Sequence, residues 1–167
     1  MSSSFRHALC LHPYFRDSHS GSLGLAVFPP IGLEYVAAAL QAHVEKITFL
    51  DMRLPDPLRD LDKLRQYLED EIDLLCISIN WEYHFEEVCA LVNTLPSHIF
   101  TVVGGKQATD CVEEVFAACP NVDVVVRGEG EEAIVEIVQG KDLKEIRGLS
   151  YRQGIELVHN PHRPYQE

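Results

Sequence analysis

The stretch TVVGGKQAT, Thr101–Thr109, decides the fold. It joins a β-branched, apolar run, which begins at Ile99, to two glycines and then to a polar segment that starts a helix. Such a run predicts a strand buried on both faces, which is typical of a parallel sheet. Gly104 and Gly105 carry no side chains, so they suit a tight turn and also let a ligand lie against the backbone. Because ligands of open α/β sheets bind outside the carboxyl ends of the strands, we expect the functional site here.

Strand and helix patterns alternate along most of the chain. Five apolar runs predict strands, and apolar residues at helical spacing predict a helix after each one. The predicted strands are Arg6–Leu11, Lys46–Leu50, Leu74–Ile79, Ile99–Val103 and Val122–Val126. This alternation predicts the α/β class, as a flavodoxin-like (Rossmann-like) three-layer sandwich. Its five-stranded parallel sheet has the order 2-1-3-4-5, with helices on both faces.

The pattern changes after Gly140. Gly148–Arg152 and Ile155–Val158 predict a β-hairpin around a short glycine turn. The ending HNPHRPYQE contains two prolines and no apolar pattern, which is typical of a linker. We therefore expect an α/β domain over residues 1–140, followed by a hairpin and linker over 141–167.

Composition narrows the class of partner. Of the 167 residues, 46% are hydrophobic, and 14 basic against 26 acidic residues give a net charge of -12. This charge disfavours nucleic acids and anionic membrane surfaces, which both reward clustered Lys and Arg. No apolar run approaches the roughly 20 residues of a membrane span. The start MSSSFRH lacks the apolar core of a signal peptide, so we expect a cytoplasmic protein.

Cysteine and histidine spacing gives no metal site. There is no C-x-x-C pair and no C-x-x-x-C-x-x-C triplet for an iron–sulfur cluster. We interpret the five cysteines as small buried hydrophobic residues in a reducing compartment. The eight histidines include no i, i+4 pair on a predicted helix, so we interpret them as solvated or as lying at the sheet edge. The cysteines are Cys10, Cys76, Cys89, Cys111 and Cys119.

The residues that follow the predicted strands share one edge of the sheet, which we call the rim. They are His12–Pro13, Asp51, Asn80–Trp81, Gly104–Gly105 and Arg127–Gly128. No G-x-G-x-x-G follows the first strand and no G-x-x-x-x-G-K-[ST] occurs, which argues against dinucleotides and against a nucleotidase. Lys106, after the glycine pair, marks either an anion site at a helix start or a structural turn. The residues alone predict a binding domain without naming its ligand.

Four segments together resemble one family. The chain is similar to the N-terminal cobalamin (vitamin B12)-binding domain of cobalamin-dependent radical S-adenosylmethionine (SAM) enzymes, which include methyltransferases and the anaerobic oxidative cyclase of bacteriochlorophyll synthesis. The tail GLSYRQGIELVHNPHRP also resembles the hairpin and linker of that family. The four segments are PPIGLEYVAAAL (Pro29–Leu40), CISINW (Cys76–Trp81), VVGGKQAT (Val102–Thr109) and VVVRGEGEEAIVEIV (Val124–Val138).

The resemblance implies a set of cobalamin-binding residues. Ser78 would lie by the base of the cofactor's nucleotide tail, and Gly104 and Gly105 would let the tail pack on backbone. The full set is Ser78, Asn80, Trp81, Gly104, Gly105, Lys106, Thr109, Arg127, Gly128, Glu129 and Gly130. Asp17-Ser18-His19 begins the D-x-H-x-x-G pattern, whose histidine would make His19 the lower cobalt ligand, but Ser22 stands in the place of its glycine. Solvent or no ligand at the cobalt is the alternative.

The resemblance also implies that this chain binds the cofactor and that another domain carries out the reaction. Because the chain has no cluster-binding cysteine triplet, it would bind cobalamin and present it to a radical SAM catalytic domain, in cis or in trans, for methyl transfer or oxidative cyclisation. S-adenosylmethionine and an iron–sulfur cluster would belong to that missing domain. One alternative is a receiver-like or protein-interaction module, although Asn80 stands where a receiver needs its phospho-acceptor Asp. Another is a flavin mononucleotide domain, for which Ser18–Ser22 is a poor phosphate loop.

Overall fold

The computed structural model describes residues 5–14, 29–80 and 85–164. In these ranges the strands are β1 (His7–His12), β2 (Lys46–Asp51), β3 (Leu74–Ser78), β4 (Phe100–Gly104), β5 (Val124–Val126), β6 (Leu149–Gln153) and β7 (Glu156–His159). The α-helices are α1 (Ile31–Leu40), α2 (Leu61–Glu71), α3 (Phe85–Val92), α4 (Lys106–Asp110), α5 (Val112–Ala118) and α6 (Glu131–Val138). Two short 3₁₀ helices cover Pro57–Arg59 and Leu143–Glu145. None of these helices has the length and apolarity needed to cross a membrane.

The described strands form one sheet in the order β2-β1-β3-β4-β5-β6-β7. The first five are parallel, which confirms the flavodoxin-like order 2-1-3-4-5. The sheet is larger than the predicted five strands, because the hairpin of β6 and β7 pairs antiparallel with β5 through Val124↔Tyr151 and Val126↔Leu149. The hairpin thereby covers the edge of β5, whose backbone groups would otherwise face water.

Two apolar layers enclose the sheet, as predicted. Leu75 and Val103 point to the face covered by α2, α3 and α5. Their neighbours Cys76 and Val102 point to the opposite face, covered by α1 and α6. Because side chains alternate along a strand, one continuous apolar run supplies both layers. The three-layer sandwich is therefore confirmed.

One predicted helix is divided in two. The sequence predicts a single helix that carries Ala108, Val112 and Cys119, whereas α4 ends and α5 begins around Cys111. Cys111 has φ -127° and ψ 49°, outside the helical region. The apolar residues of both pieces still face the same core, so their spacing gives no sign of the break.

The described part of the predicted linker is docked on the domain. The Asn160 side-chain amide donates to the carbonyl oxygens of Leu143 at 2.7 Å and Ile146 at 2.6 Å. The Arg163 guanidinium makes ion pairs with Glu132 and Glu136 on α6. These contacts fix the chain beyond β7 against the outer layer of the sandwich.

Three cysteines differ from the interpretation that all five are small buried hydrophobic residues, and the first, Cys111, is only partly buried. Cys89 on α3 and Cys119 after α5 form a disulfide, with their Cα atoms 5.1 Å apart. The interpretation is wrong for this pair, because α3 and α5 pack side by side on one face of the sheet and bring together residues 30 positions apart. Cys10 and Cys76 are buried as free thiols, as predicted.

His7 corrects the interpretation of the histidines as solvated or at the rim. It begins β1, at the end of the sheet opposite the rim, and is only 6% exposed. Its Nε2 lies 2.9 Å from Thr48 Oγ1 and 3.3 Å from the Tyr67 hydroxyl. Burial, with the nearby positive charge of Lys46, lowers the pKa of His7 below its ordinary 6.5, although Glu71 and Asp73 oppose this.

The lowered pKa of His7 makes stability depend on pH. Because the unfolded chain binds a proton at His7 more readily than the folded chain, stability falls as the pH drops below about 6.5, by at most about 1.4 kcal/mol per pH unit for one proton. We expect His7→Gln to flatten the slope of the unfolding free energy between about pH 7 and pH 5.5 in urea titrations. His98→Gln, at an exposed position, is the control. Equal slopes for all three proteins would refute the prediction.

Candidate functional site

A cleft of about 490 Å³ opens at the rim. It lies on the sheet face covered by α1 and α6, between the first turns of these helices and the carboxyl ends of β3, β4 and β5. Its volume falls within the roughly 300–1,000 Å³ of typical small-molecule sites. The sequence places the functional site at this edge of the sheet, and the cleft lies there.

The strand residues that form the floor change character toward the rim. Cys76 and Ser78 on β3 point to the same face because they are two residues apart, as do Val102 and Gly104 on β4. Ser78 is registered beside Gly104. The deeper residues, Cys76 and Val102, are apolar. The outer residues, Ser78 and Gly104, present a hydroxyl group and a backbone without a side chain. We call the outer pair, Ser78 and Gly104, the notch.

Gly104 leaves its part of the cleft open. A Cβ at this position would meet only the Val126 carbonyl oxygen, at an ordinary contact distance of 3.8 Å. Its neighbour Gly105 is different, because a Cβ there would lie 2.6 Å from the Ile79 carbonyl oxygen and 2.7 Å from Asn80 Oδ1. Gly105 also has φ 99° and ψ 172°, a conformation almost exclusive to glycine. The first glycine thus leaves space, and the second lets two loops approach each other.

Asn80 links these two loops. Its side-chain amide donates to Ser78 Oγ at 2.7 Å, and its Oδ1 accepts from the backbone N–H of Lys106 at 3.1 Å. This arrangement fixes the position of the Ser78 hydroxyl in the notch. Both side chains also line the cleft, so a polar group of a ligand would meet an ordered pair of hydrogen-bonding side chains.

Thr109 fixes the loop on the other side of the cleft. Its hydroxyl donates to the Gly105 carbonyl at 2.9 Å and accepts from the backbone N–H of Gly128 at 3.2 Å. Gly130 follows, and a Cβ there would come within 3.2 Å of Val36 on α1. Glycine at this position therefore allows the start of α6 to approach α1. Gly128, Glu129 and Gly130 all line the cleft.

Three of the predicted binding residues do not line the cleft, and their side chains contact other parts of the protein. Lys106 pairs with Asp110 and Thr109 bridges the loops as described, while Arg127 donates to the carbonyl oxygens of Leu149 and Asn160. Burial lowers the pKa of Arg127. The structure thus brings seven predicted residues to the cleft wall, and these three lie behind or beside it. The seven are Ser78, Asn80, Gly104, Gly105, Gly128, Glu129 and Gly130.

Two charged residues that line the cleft, Arg53 and Glu131, were not among the predicted binding residues. Arg53 lies just beyond β2, and its guanidinium donates to the Asp51 carboxylate, with Nε 2.9 Å from Oδ1 and Nη2 2.6 Å from Oδ2. Burial raises the pKa of Asp51, but the hydrogen bonds and charge of Arg53 outweigh it, so the pKa lies below its ordinary value. The sequence predicts Asp51 at the rim. An arginine two positions after this carboxylate was the signal that could have identified Arg53 as a residue of the cleft.

Two predicted residues fall outside the described ranges. They are Trp81 and the candidate cobalt ligand His19, for which the structure gives no placement. Within residues 5–14, 29–80 and 85–164, no three His, Cys, Asp or Glu side chains gather into a group that could hold a metal ion.

The parallel sheet, its helical layers and the cleft at the rim define a flavodoxin-like ligand-binding domain. Residues 25–138 match the B12 binding domain family, and the chain belongs to this family. This assignment confirms the family resemblance of the four sequence segments. It favours cobalamin over the receiver-like and flavin mononucleotide alternatives.

Similar proteins are much longer than this chain. An uncharacterized methyltransferase of Pyrococcus horikoshii is 30% identical over 141 residues, which cover 81% of this chain and 30% of the relative. The anaerobic magnesium-protoporphyrin IX monomethyl ester cyclase of Cereibacter sphaeroides is 28% identical over 163 residues, or 89% of this chain and 25% of the cyclase. The structure of the radical S-adenosylmethionine methyltransferase TsrM from Kitasatospora setae, with cobalamin and a 4Fe–4S cluster bound, shares the fold. Its TM-score is 0.70 at 20% identity, over 100% of this chain and 30% of TsrM.

The two close contacts at Gly105 lead to a stability prediction. We expect Gly105→Ala to lower the unfolding free energy by about 2 kcal/mol or more, because it adds a clash with Ile79 to an unfavourable backbone conformation. Gly140→Ala is the matched control, since Gly140 also has a positive φ (76°) but a Cβ there meets nothing within 4 Å. It should cost only about 1 kcal/mol. Urea unfolding measures both, and equal losses would show that the contact with Ile79 is unimportant.

Proposed function

We propose that this domain binds cobalamin in the cleft and presents it to a radical SAM catalytic domain, for methyl transfer or oxidative cyclisation. The observation that carries the proposal is the notch, where the backbone of Gly104 is bare beside an apolar floor. Membership of the B12 binding domain family supports the choice of ligand. The names of the relatives, which include a methyltransferase and a cyclase, support the two reaction classes.

The chemistry of the cleft fits the nucleotide tail of cobalamin. The tail carries a flat aromatic base, for which Cys76, Val102 and Val126 provide an apolar floor. It also carries a ribose and a phosphate, which need hydrogen-bond donors near the mouth. Ser78 and Asn80 are placed to supply such groups. The volume of about 490 Å³ suits the tail alone, so the corrin ring would lie above the mouth.

The chain's own residues serve to bind and orient the cofactor. Ser78 and Asn80 would hold polar atoms of the tail, while Gly128, Glu129 and Gly130 would border it from β5. When bound, cobalamin supplies a cobalt centre that can carry a methyl group. We keep Lys106, Thr109, Arg127 and Trp81 as predicted contacts, with Thr109 and Arg127 acting through the loops that they fix. His19 stays a prediction as lower cobalt ligand.

The partner is also part of the proposal. A radical SAM domain with its S-adenosylmethionine and iron–sulfur cluster would face the rim, either in the same polypeptide or as a separate chain. The small share of each relative that this chain covers supports a larger assembly. We keep a cytoplasmic location as a prediction, although the Cys89–Cys119 disulfide counts against it because such bonds are rare in reducing compartments.

Filling the notch tests the proposal. We expect the wild-type protein to retain hydroxocobalamin through gel filtration, and Gly104→Val to lose affinity by about tenfold or more because its side chain enters the cleft. Valine suits a strand, so the variant should remain as stable as the wild type. Gly104→Ala, which adds one methyl at ordinary contact distance, is the control and should bind more tightly than Gly104→Val. A colourless wild-type protein, or full binding by a folded Gly104→Val, would refute the proposal.

A further inference from the structure

The hydrogen-bonding side chains of the cleft lie at its mouth, and the floor beneath them is apolar. Cys76, Val102 and Val126 form this floor, and none of them is more than 5% exposed. A ligand that fills the cleft therefore meets polar side chains at one end and an apolar surface at the other. The polar side chains end or follow a strand, or begin α6, and they are His12, Arg53, Ser78, Asn80, Glu129 and Glu131.

The floor has few groups that could hydrogen-bond to a ligand. Val102 on β4 is registered with Cys76 on β3 and with Val124 on β5, so the backbone groups between these strands bond to one another. The one heteroatom among the three floor side chains is the sulfur of Cys76. A hydrogen bond with Cys10, together with burial, raises the pKa of this thiol well above its ordinary range, so the thiol stays neutral. The floor thus presents two valines and a neutral thiol that is already bonded to Cys10.

Corrinoids with a nucleotide tail differ in the base that the tail carries. The base is a dimethylbenzimidazole in cobalamin and a purine such as adenine in other corrinoids. Both bases consist of two fused rings, so the size of the cleft does not separate them. Dimethylbenzimidazole has a hydrocarbon edge, whereas adenine has ring nitrogens and an amino group that lose their bonds to water when they are buried on an apolar surface. A floor of this kind therefore favours the benzimidazole.

We infer that Val102 and Val126, together with Cys76, select corrinoids by the lower base and favour a benzimidazole over a purine. This inference rests on the proposed function, because it requires the nucleotide tail to lie in the cleft. Val102 is two residues before Gly104 on β4, so its side chain lies on the same face of the sheet, one repeat of the strand deeper than the notch. The base of a tail that passes the notch would rest on it.

A comparison of cobalamin with adeninylcobamide, which carries adenine in place of dimethylbenzimidazole, tests the inference. Val102→Thr exchanges a methyl group of the floor for a hydroxyl, which can bond to adenine but loses its bonds to water beneath dimethylbenzimidazole. In spectroscopic titrations, we expect this variant to lower the ratio of the two affinities, cobalamin over adeninylcobamide, about fivefold or more relative to the wild type. The two bases differ in how strongly they bind the cobalt of the free corrinoid, but this difference is the same for every protein and cancels in the comparison.

Val124→Thr is the matched control. Val124 is buried in the same apolar layer and registered beside Val102, but it does not line the cleft. Its variant also buries a hydroxyl in the core, and its affinity ratio should equal that of the wild type. An unchanged ratio in Val102→Thr, or an equal fall in Val124→Thr, would overturn the inference.

A second floor variant covers the case in which Val102→Thr fails to fold. Val126→Thr places a hydroxyl in the same floor from β5, and it should lower the ratio in the same direction. An unchanged ratio in a folded Val126→Thr would then overturn the inference. A wild-type protein that binds neither corrinoid would instead overturn the proposed function.

Discussion

The close approach of Gly105 to the Ile79 carbonyl is the constraint on which the rim depends. The Ile79 oxygen accepts hydrogen bonds from the backbone N–H groups of Gln107 at 3.1 Å and Ala108 at 3.4 Å, and the Ile79 N–H donates to Gly104 at 2.8 Å. The start of α4 is thereby joined to the end of β3. Any side chain at residue 105 would push these two loops apart. The loops in turn hold Asn80, whose amide sets the orientation of Ser78.

The residues of β3 and β4 that face the cleft change from apolar to polar toward the rim, and this change gives the junction the character of a binding site. The inward residues of β3 and β4 change from apolar Cys76 and Val102 to Ser78 and Gly104 over one repeat of the strand. The apolar side chains of the core therefore also form the floor of the cleft, and the lining becomes polar only at the mouth. Such a site suits a ligand that is apolar at one end and hydrogen-bonding at the other.

The strand order and the layers could be predicted because apolar periodicity and the alternation of strands with helices determine them directly. The notch could be predicted for the same reason, since Gly104 ends an unmistakable strand. Periodicity carries no information about the break at Cys111, because α4 and α5 face one core. The disulfide of Cys89 with Cys119 depends on how two helices pack, which no local pattern records. Arg53 was missed because it reaches the cleft wall only when β2 pairs with β1, and the paired residues of these strands are 39 positions apart in the sequence.

Docking of the segment beyond β7 has a consequence for any polypeptide that continues past Pro164. Arg163 pairs with Glu132, in the first turn of α6, and α6 begins at the mouth of the cleft. Arg163 therefore lies near the mouth of the cleft and not at the far end of the sheet. A domain joined there by a short flexible linker would stay close to the mouth of the cleft, because such linkers give effective concentrations in the millimolar range.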